Sequence, residues 1–193
     1  MGFLRRAADA VDRLNDRIGM AITWLALFMI LFGAYNAVAR WATALVGFNL
    51  TNNAFNELQW YAFSVIFLLG AAWGLRHDVH VRVDVMYARV STRTRAWIDL
   101  LGTLLFLLPF CVMMLWVSWP PVMRSFQIRE MSPDPGGLPR WPIKGLLLVS
   151  FTLLFLQGLA IAVRQVDAIR LGVAPSEPRV GPGEPDVRHG EGS

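Results

Sequence analysis

The sequence is poor in charge, with basic residues slightly ahead of acidic ones. Only 17% of its 193 residues are charged, against about 25% in soluble domains, and the mean hydropathy is +0.44. Eighteen Lys and Arg outnumber fourteen Asp and Glu, and Lys144 is the only lysine. The charges lie at the ends of apolar runs and form no basic patch with interleaved aromatics. This composition predicts an integral membrane protein, surrounded by lipid, and argues against nucleic acid as a partner.

Cysteine and histidine are also scarce. Cys111 is the only cysteine, so an intramolecular disulfide and a cysteine-based metal cluster are excluded, and its apolar neighbours predict a small buried side chain. His77 and His80 follow an apolar run, and His189 lies near the C-terminus. A metal site or the haem ligands of a cytochrome anchor is one interpretation, but axial haem ligands face each other inside a helix bundle. A solvated basic loop at the lipid headgroups explains His77 and His80 without a cofactor.

The apolar runs lack ionisable side chains in their central parts. Asn36 and Gln157 are the strongest polar groups deep within them. Charged side chains flank the runs instead: Arg40, Glu57, Asp99, Lys144 and Arg164. Active transporters place ionisable groups near mid-membrane, and no nucleophile motif, phosphate loop or catalytic carboxylate pair is present. The sequence therefore predicts a protein that is not an enzyme, binds no cofactor or metal, and is a subunit whose chemistry lies on a partner.

Four long uncharged runs are the dominant positive feature. They cover residues 18–39, 58–75, 100–123 and 145–163. A helix of eighteen residues is about 27 Å long, close to the hydrocarbon thickness of a bilayer. The sequence predicts an all-α membrane protein with four transmembrane helices, which we expect at about 18–41, 57–75, 95–119 and 143–164.

The distribution of basic residues predicts the orientation of these helices. Thirteen Lys and Arg lie in the two terminal segments and the 76–97 loop, and five lie on the opposite side. By the positive-inside rule, both termini are expected in the cytoplasm. Interfacial aromatics fit this arrangement, with one group at the outer ends and another at the inner ends. The outer group is Trp41, Trp60, Tyr61, Trp119 and Trp141, and the inner group is Trp24, Trp73 and Trp97.

Residues 1–17 have the spacing of an amphipathic helix. Leu4, Ala7, Val11 and Leu14 recur at intervals of three and four, with charged residues between them. We expect a short helix lying on the membrane surface. A cleaved export signal is the alternative, but three aspartates interrupt the leader and the apolar run that follows is longer than a signal core.

The connecting segments have distinct compositions. Residues 42–56 are mostly apolar, which is odd for a solvated loop, and we expect them to lean on the membrane or on a partner. In the 76–97 loop, Asp84 is placed to cap a short interfacial helix and Ser91 to cap the third span. The 120–142 segment is punctuated by proline and glycine and is expected to be a structured turn region. Residues 171–193 are expected to be disordered.

The third span contains prolines, and the second contains small residues. Pro109 predicts a kink, and Pro120 with Pro121 marks an outer end or a second bend. Gly70 belongs to a smooth face on the second span that suits close helix contact. Arg40 is placed to form an ion pair with Glu57, although a solvated Glu57 fits the sequence equally well.

The order of residues in the second span and its following turn resembles the small permease subunit, DctQ type, of tripartite ATP-independent periplasmic (TRAP) transporters. The shared pattern is E-L-x-x-Y-x-F-x-x-x-F-L-x-G-A-A and then H-V-R-V-D. It falls at Glu57, Leu58, Tyr61, Phe63, Phe67, Leu68, Gly70, Ala71, Ala72, His80, Val81, Arg82, Val83 and Asp84. The later G-G-L-P-R-W-P, with Pro139 and Trp141, is similar to the family's outer loop. Two features depart from the family: Asp78, where glycine is frequent, and the long 42–56 loop.

The resemblance, which covers about residues 10–170, implies a bacterial inner-membrane protein. It implies two protein partners, a large multi-helix permease subunit and a periplasmic substrate-binding protein. In such a system the large subunit carries the sodium and substrate sites, and small organic acids are taken up. A membrane anchor for a redox enzyme and a stand-alone four-helix channel are the alternative functions.

Overall fold

The protein is a bundle of long helices. The computed structural model describes residues 2–47, 53–77 and 91–171. Its helices are α1 (Gly2–Val46), α2 (Asn53–Arg76), α3 (Thr92–Gly102), α4 (Leu108–Gln127) and α5 (Trp141–Leu171), and a π-helical segment, Thr103–Leu107, joins α3 to α4. Within these described residues, four stretches are long and apolar enough to cross a membrane: one each in α1, α2 and α5, and one formed by α3, the π-helical segment and α4 together. The predicted all-helical class and its four spans are confirmed.

The helix α1 is a single rod that includes the N-terminal segment. The sequence predicted a separate surface helix over residues 1–17, but α1 runs from Gly2 to Val46 without interruption. No proline or cap separates the two parts, and Gly19 is closely packed rather than a breaker. At 1.5 Å per residue the rod is about 67 Å long, roughly twice the hydrocarbon thickness.

The connection between α1 and α2 is shorter than the sequence indicated. The predicted 42–56 loop is wrong because both helices extend into it, to Val46 and from Asn53. Gly47 ends α1 with a left-handed φ of 77°, and its N–H donates to Thr43 O at 3.0 Å. Residues 42–46 contain no proline or glycine, so α1 continues through them until the left-handed Gly47 ends it.

The third span begins at the predicted cap, and its helix changes type beside Pro109. Ser91 is the N-cap of α3, and its Oγ accepts from Thr94 N at 3.3 Å. The π-helical segment lies directly before Pro109, where Leu108 N–H donates to Thr103 O, because proline supplies no N–H to the regular ladder. Pro120 and Pro121 lie inside α4 and do not end it, since the helix continues to Gln127.

The helix α5 lies at the centre of the bundle. It packs against α1, α2, α3, the π-helical segment and α4, and a third of its most apolar stretch is buried, against 17% or less in the other spans. Ser150 Oγ donates to Leu68 O at 2.5 Å, and Gly158 lies close beneath Leu107 and Leu108. Small residues in α5 thus let its neighbours approach.

The outward surface of the bundle is apolar. Large exposed side chains occur on every span, among them Trp24, Leu31, Phe67, Phe106 and Trp116. In water such a surface would cause aggregation, but in a bilayer it contacts the hydrocarbon chains of the lipids.

Several predicted features lie outside the described residues. These are His80 and Asp84, the short interfacial helix that Asp84 was expected to cap, Asp78, and the tail beyond Leu171.

Candidate functional site

The first of two polar clusters joins α2 to the loop between α4 and α5. This loop cluster consists of Glu57, Tyr61, Ser132, Leu138 and Pro139. Within the loop, Ser132 N donates to Leu138 O at 3.1 Å, and the chain doubles back on itself in a short hairpin. The sequence folds this way because glycine stands at the turn.

The glycine pair of the loop meets two different requirements. Gly136 has a left-handed φ of 75°, which side chains disfavour. At Gly137 a Cβ atom would lie 2.5 Å from Ser132 Cβ and 2.9 Å from Glu57 Oε1. The first glycine therefore makes the turn, and the second lets the loop approach the carboxylate.

Glu57 holds this loop with both of its carboxylate oxygens. Ser132 Oγ donates to Oε1, and Leu138 N donates to Oε2 at 2.5 Å. One helical turn later, Tyr61 OH donates to Pro139 O at 3.0 Å. The two halves of the sequence pattern, E-L-x-x-Y and G-G-L-P, thus meet in space, because residues four apart lie on one helix face.

The predicted ion pair between Arg40 and Glu57 is wrong. Arg40 Nη2 instead donates to Asn56 Oδ1 at 3.4 Å, and the same oxygen accepts from Asn36 Nδ2 at 2.6 Å. The carboxylate of Glu57 is occupied by donors from the loop, and the nearby guanidinium of Arg140 adds a favourable charge.

Two further contacts fix the ends of the loop. Lys144 Nζ donates to Glu130 Oε2 at 2.5 Å, and this bond holds the pKa of the Glu130 carboxyl below its ordinary value. Trp141, the first residue of α5, packs on Phe126, with ring centroids 5.0 Å apart. The loop is therefore anchored to α2, α4 and α5.

Gly70 lies at a close helix contact, as the sequence predicted. A Cβ atom there would be 3.3 Å from Ile22 Cδ1. A tighter approach in the same pair of helices was not predicted, since Gly19 of α1 lies directly against the indole of Trp73. Trp73 also packs on His77, with ring centroids 4.5 Å apart. It is therefore part of a helix contact as well as a member of the predicted inner aromatic group.

The second polar cluster lies at the opposite end of the bundle, between α1, α2 and α5. This terminal cluster consists of Asp12, Asn15, Arg76, Gln157 and Arg164. Asp12 forms ion pairs with Arg164 and, at 3.8 Å, with Arg76, which also donates to the Asp12 carbonyl. Gln157 Nε2 donates to Asp12 Oδ1 at 3.1 Å, and Asn15 Nδ2 donates to Gln157 Oε1 at 2.7 Å.

The terminal cluster is buried, so its polar groups need partners within the protein. Asn15 and Gln157 are fully buried, and Asp12 is 6% exposed. A buried carboxylate is tolerated only when cations and donors compensate it, and here two guanidinium groups and an amide do so. The chemistry is structural, because every named contact joins two helices of this chain.

More exposed ion pairs surround the terminal cluster. Asp16 forms an ion pair with Arg76, and His77 Nε2 lies 3.7 Å from Asp16 Oδ1. Arg5 Nε donates to Asp167 Oδ2 at 2.6 Å. Within residues 2–47, 53–77 and 91–171, no group of three His, Cys, Asp or Glu is arranged to hold a metal ion.

The polar face of this N-terminal segment packs against the bundle. Asp12 and Asn15 face α2 and α5, whereas Leu4 and Leu14, members of the predicted apolar face, are 50% and 45% exposed. A membrane reverses the usual rule, because apolar side chains are satisfied by lipid and polar ones by protein. The available signal was the spacing of Asp9, Asp12 and Asp16 beside a run long enough to span.

Comparison with known families decides the classification. Residues 29–168 match the family described as "Tripartite ATP-independent periplasmic transporters, DctQ component". The chain belongs to this DctQ family. No match was found among curated proteins or among solved structures.

The match places the protein among TRAP transporter components, which are not a class of enzymes. Membership confirms the family to which the motif pointed, and it identifies the chain as the small subunit of a TRAP transporter. The matched region contains the whole loop cluster. Of the terminal cluster, it contains Arg76, Gln157 and Arg164 but not Asp12 or Asn15.

Proposed function

We propose that this small subunit supports the large permease subunit of its transporter during sodium-coupled uptake of a small organic acid. One observation carries the proposal: Glu57 and Tyr61, the polar residues of the motif that the structure describes, hold the subunit's own helices and loop together. Glu57 and Tyr61 bind the loop between α4 and α5. A subunit whose polar side chains bond to its own backbone and side chains is suited to support a moving partner mechanically.

The deep polar groups support the same assignment. Gln157 is bound to Asp12 and Asn15, and Asn36 donates to Asn56. These side chains join helices of this chain, whereas a transport site needs polar groups turned toward a pathway. In this proposal the sodium and substrate sites belong to the large subunit, and a periplasmic binding protein delivers the substrate.

The proposed location is the bacterial inner membrane, with both termini in the cytoplasm. Support comes from the four apolar spans and from the excess of basic residues in the terminal segments and the 76–97 loop. The terminal cluster would then lie on the cytoplasmic side and the loop cluster on the periplasmic side.

Co-purification and uptake test the proposal together. A tagged chain, extracted from native membranes with mild detergent, should bring a large multi-helix permease with it. Deleting the chain should abolish sodium-dependent uptake, and the wild-type chain supplied in trans should restore it. Recovery of the chain without a permease, together with uptake that survives deletion, would contradict the proposed role.

A further inference from the structure

A polar groove lies on the surface between α1 and α2, close to the loop end of the bundle. Two adjoining open cavities of about 680 and 590 Å³ form it, and both are bordered by Arg40 and Gln59. The other lining residues used below are Met29, Asn36, Asn56, Trp60 and Phe63.

The polar part of this groove has unused hydrogen-bonding capacity. The exposed Arg40 makes a single long hydrogen bond, to Asn56, and forms no ion pair with any residue that the structure describes. Asn36 is 2% exposed, and its Oδ1 has no hydrogen-bond partner among the described residues. A buried acceptor without a partner is costly, and the exposed guanidinium of Arg40 is free to pair with an anion.

The position of the groove suggests where such a ligand would lie. Arg40 is the first charge after the uncharged run 18–39, so it stands at the edge of the apolar zone. Trp60, beside the groove, is 73% exposed, as an interfacial tryptophan is. Phe63 and Phe67 stack on one another along the exposed face of α2, with ring centroids 6.3 Å apart. The groove is thus polar at the edge of this zone and apolar below.

We propose that this groove binds one phospholipid with an anionic headgroup. The Arg40 guanidinium pairs with the phosphodiester, and the Gln59 amide supplies a second donor. Asn36 Oδ1 accepts a hydrogen bond from a headgroup hydroxyl, and an acyl chain lies along Met29 and Phe63. One cation matches one phosphodiester charge, and the apolar floor excludes a small soluble anion as the best-fitting ligand.

Native mass spectrometry of the full-length chain, alone and in its complex, tests this site with defined lipids. Phosphatidylglycerol should be retained in preference to phosphatidylcholine. Arg40→Gln should reduce phosphatidylglycerol retention at least about tenfold, the cost of losing a charge-assisted hydrogen bond. Gln59→Leu should reduce it less. Arg124→Gln is the matched control, since it removes a cation at the same end of the bundle outside the groove.

Four outcomes would overturn the proposal. Unchanged retention in Arg40→Gln, or an equal loss in Arg124→Gln, would mean that the lipid binds elsewhere. Displacement of the lipid by inorganic phosphate would mean a free-anion site. Loss of the lipid whenever the complex assembles would mean that a protein segment fills the groove. Size-exclusion profiles and melting temperatures of each variant exclude unfolding as the cause of lipid loss. Lipid retention is measured independently of co-purification with the permease, so this proposal can fail while the proposed function stands.

Discussion

At the scale of single residues, Glu57 fixes contacts across a long stretch of sequence. Its oxygens bind Ser132 and Leu138, which lie 75 and 81 positions farther along the chain. A carboxylate that accepts from a hydroxyl and from a backbone N–H is stabilised by both hydrogen bonds. This side chain therefore joins α2 to both sides of the hairpin in the loop between α4 and α5.

Replacing Glu57 should release this loop. Glu57→Gln removes the carboxylate charge and places an NH₂ group opposite one of the two donors, Ser132 Oγ or Leu138 N. We therefore expect faster hydrogen exchange at the Leu138 amide. Asp134→Asn is the control, because it neutralises an exposed acid in the same loop. Exchange measured by mass spectrometry on the peptide containing residue 138 reports the difference, and equal exchange in both variants would show that Glu57 does not anchor the loop.

The buried amide pair of the terminal cluster should show energetic coupling. Gln157→Leu leaves Asn15 without its acceptor, and Asn15→Leu leaves Gln157 without a donor, so each change should destabilise the protein. The double variant should lose less than the sum, with a coupling energy of about 0.6–1.7 kcal/mol, as interhelical hydrogen bonds in membranes give. Unfolding in mixed micelles measures all four proteins of the cycle, and strict additivity would contradict the pairing.

The sequence identified residues of the site more readily than it identified the partners that these residues contact. The sequence singled out Glu57, Gly70, Pro139 and Trp141 through the family pattern, and the described contacts give each a neighbour. It paired Glu57 with Arg40 because both lie at the same end of adjacent spans. The true donors come from a loop whose path depends on a left-handed glycine and on helix rotation, neither of which follows from periodicity.

At the scale of elements, α1 has two parts with opposite surroundings along one rod. Its first seventeen residues present Asp12 and Asn15 to α2 and α5, and its later part presents large apolar side chains outward. The four spans followed from uncharged runs, but their ends did not, since each described helix continues past its apolar run. Length beyond the membrane is set by neighbours and caps rather than by hydropathy.

The contact between α1 and α2 should be sensitive to a single methyl group. Gly19→Ala would force the added Cβ into the indole of Trp73, which is itself held by His77, so we expect a destabilisation of about 1–3 kcal/mol. Gly102→Ala is the control, because nothing lies within 4 Å of its added Cβ, and there a gain of about 0.5–1 kcal/mol is expected from helix propensity. Thermal unfolding in detergent compares the two, and similar shifts would argue against the close packing.

At the scale of the whole molecule, the proposed orientation can be tested by cysteine labelling, because the sequence contains a single cysteine. Cys111 is buried in α4, so a Cys111→Ser background leaves no native thiol. In intact cells, a membrane-impermeant maleimide should label Asp134→Cys, in the loop between α4 and α5, and should label Gly2→Cys only after the membrane is opened. The reverse pattern would contradict the cytoplasmic placement of the termini.

The central position of α5 has a consequence for biogenesis. Translation runs from the N-terminus, so α1, α2 and the third span leave the ribosome before the helix that touches all of them. Until Gln157 and Arg164 emerge, the partners they supply to Asp12 and Asn15 are missing. In the nascent chain the Asp12 carboxylate therefore lacks part of its partners, and the bundle closes only when α5 enters the bilayer.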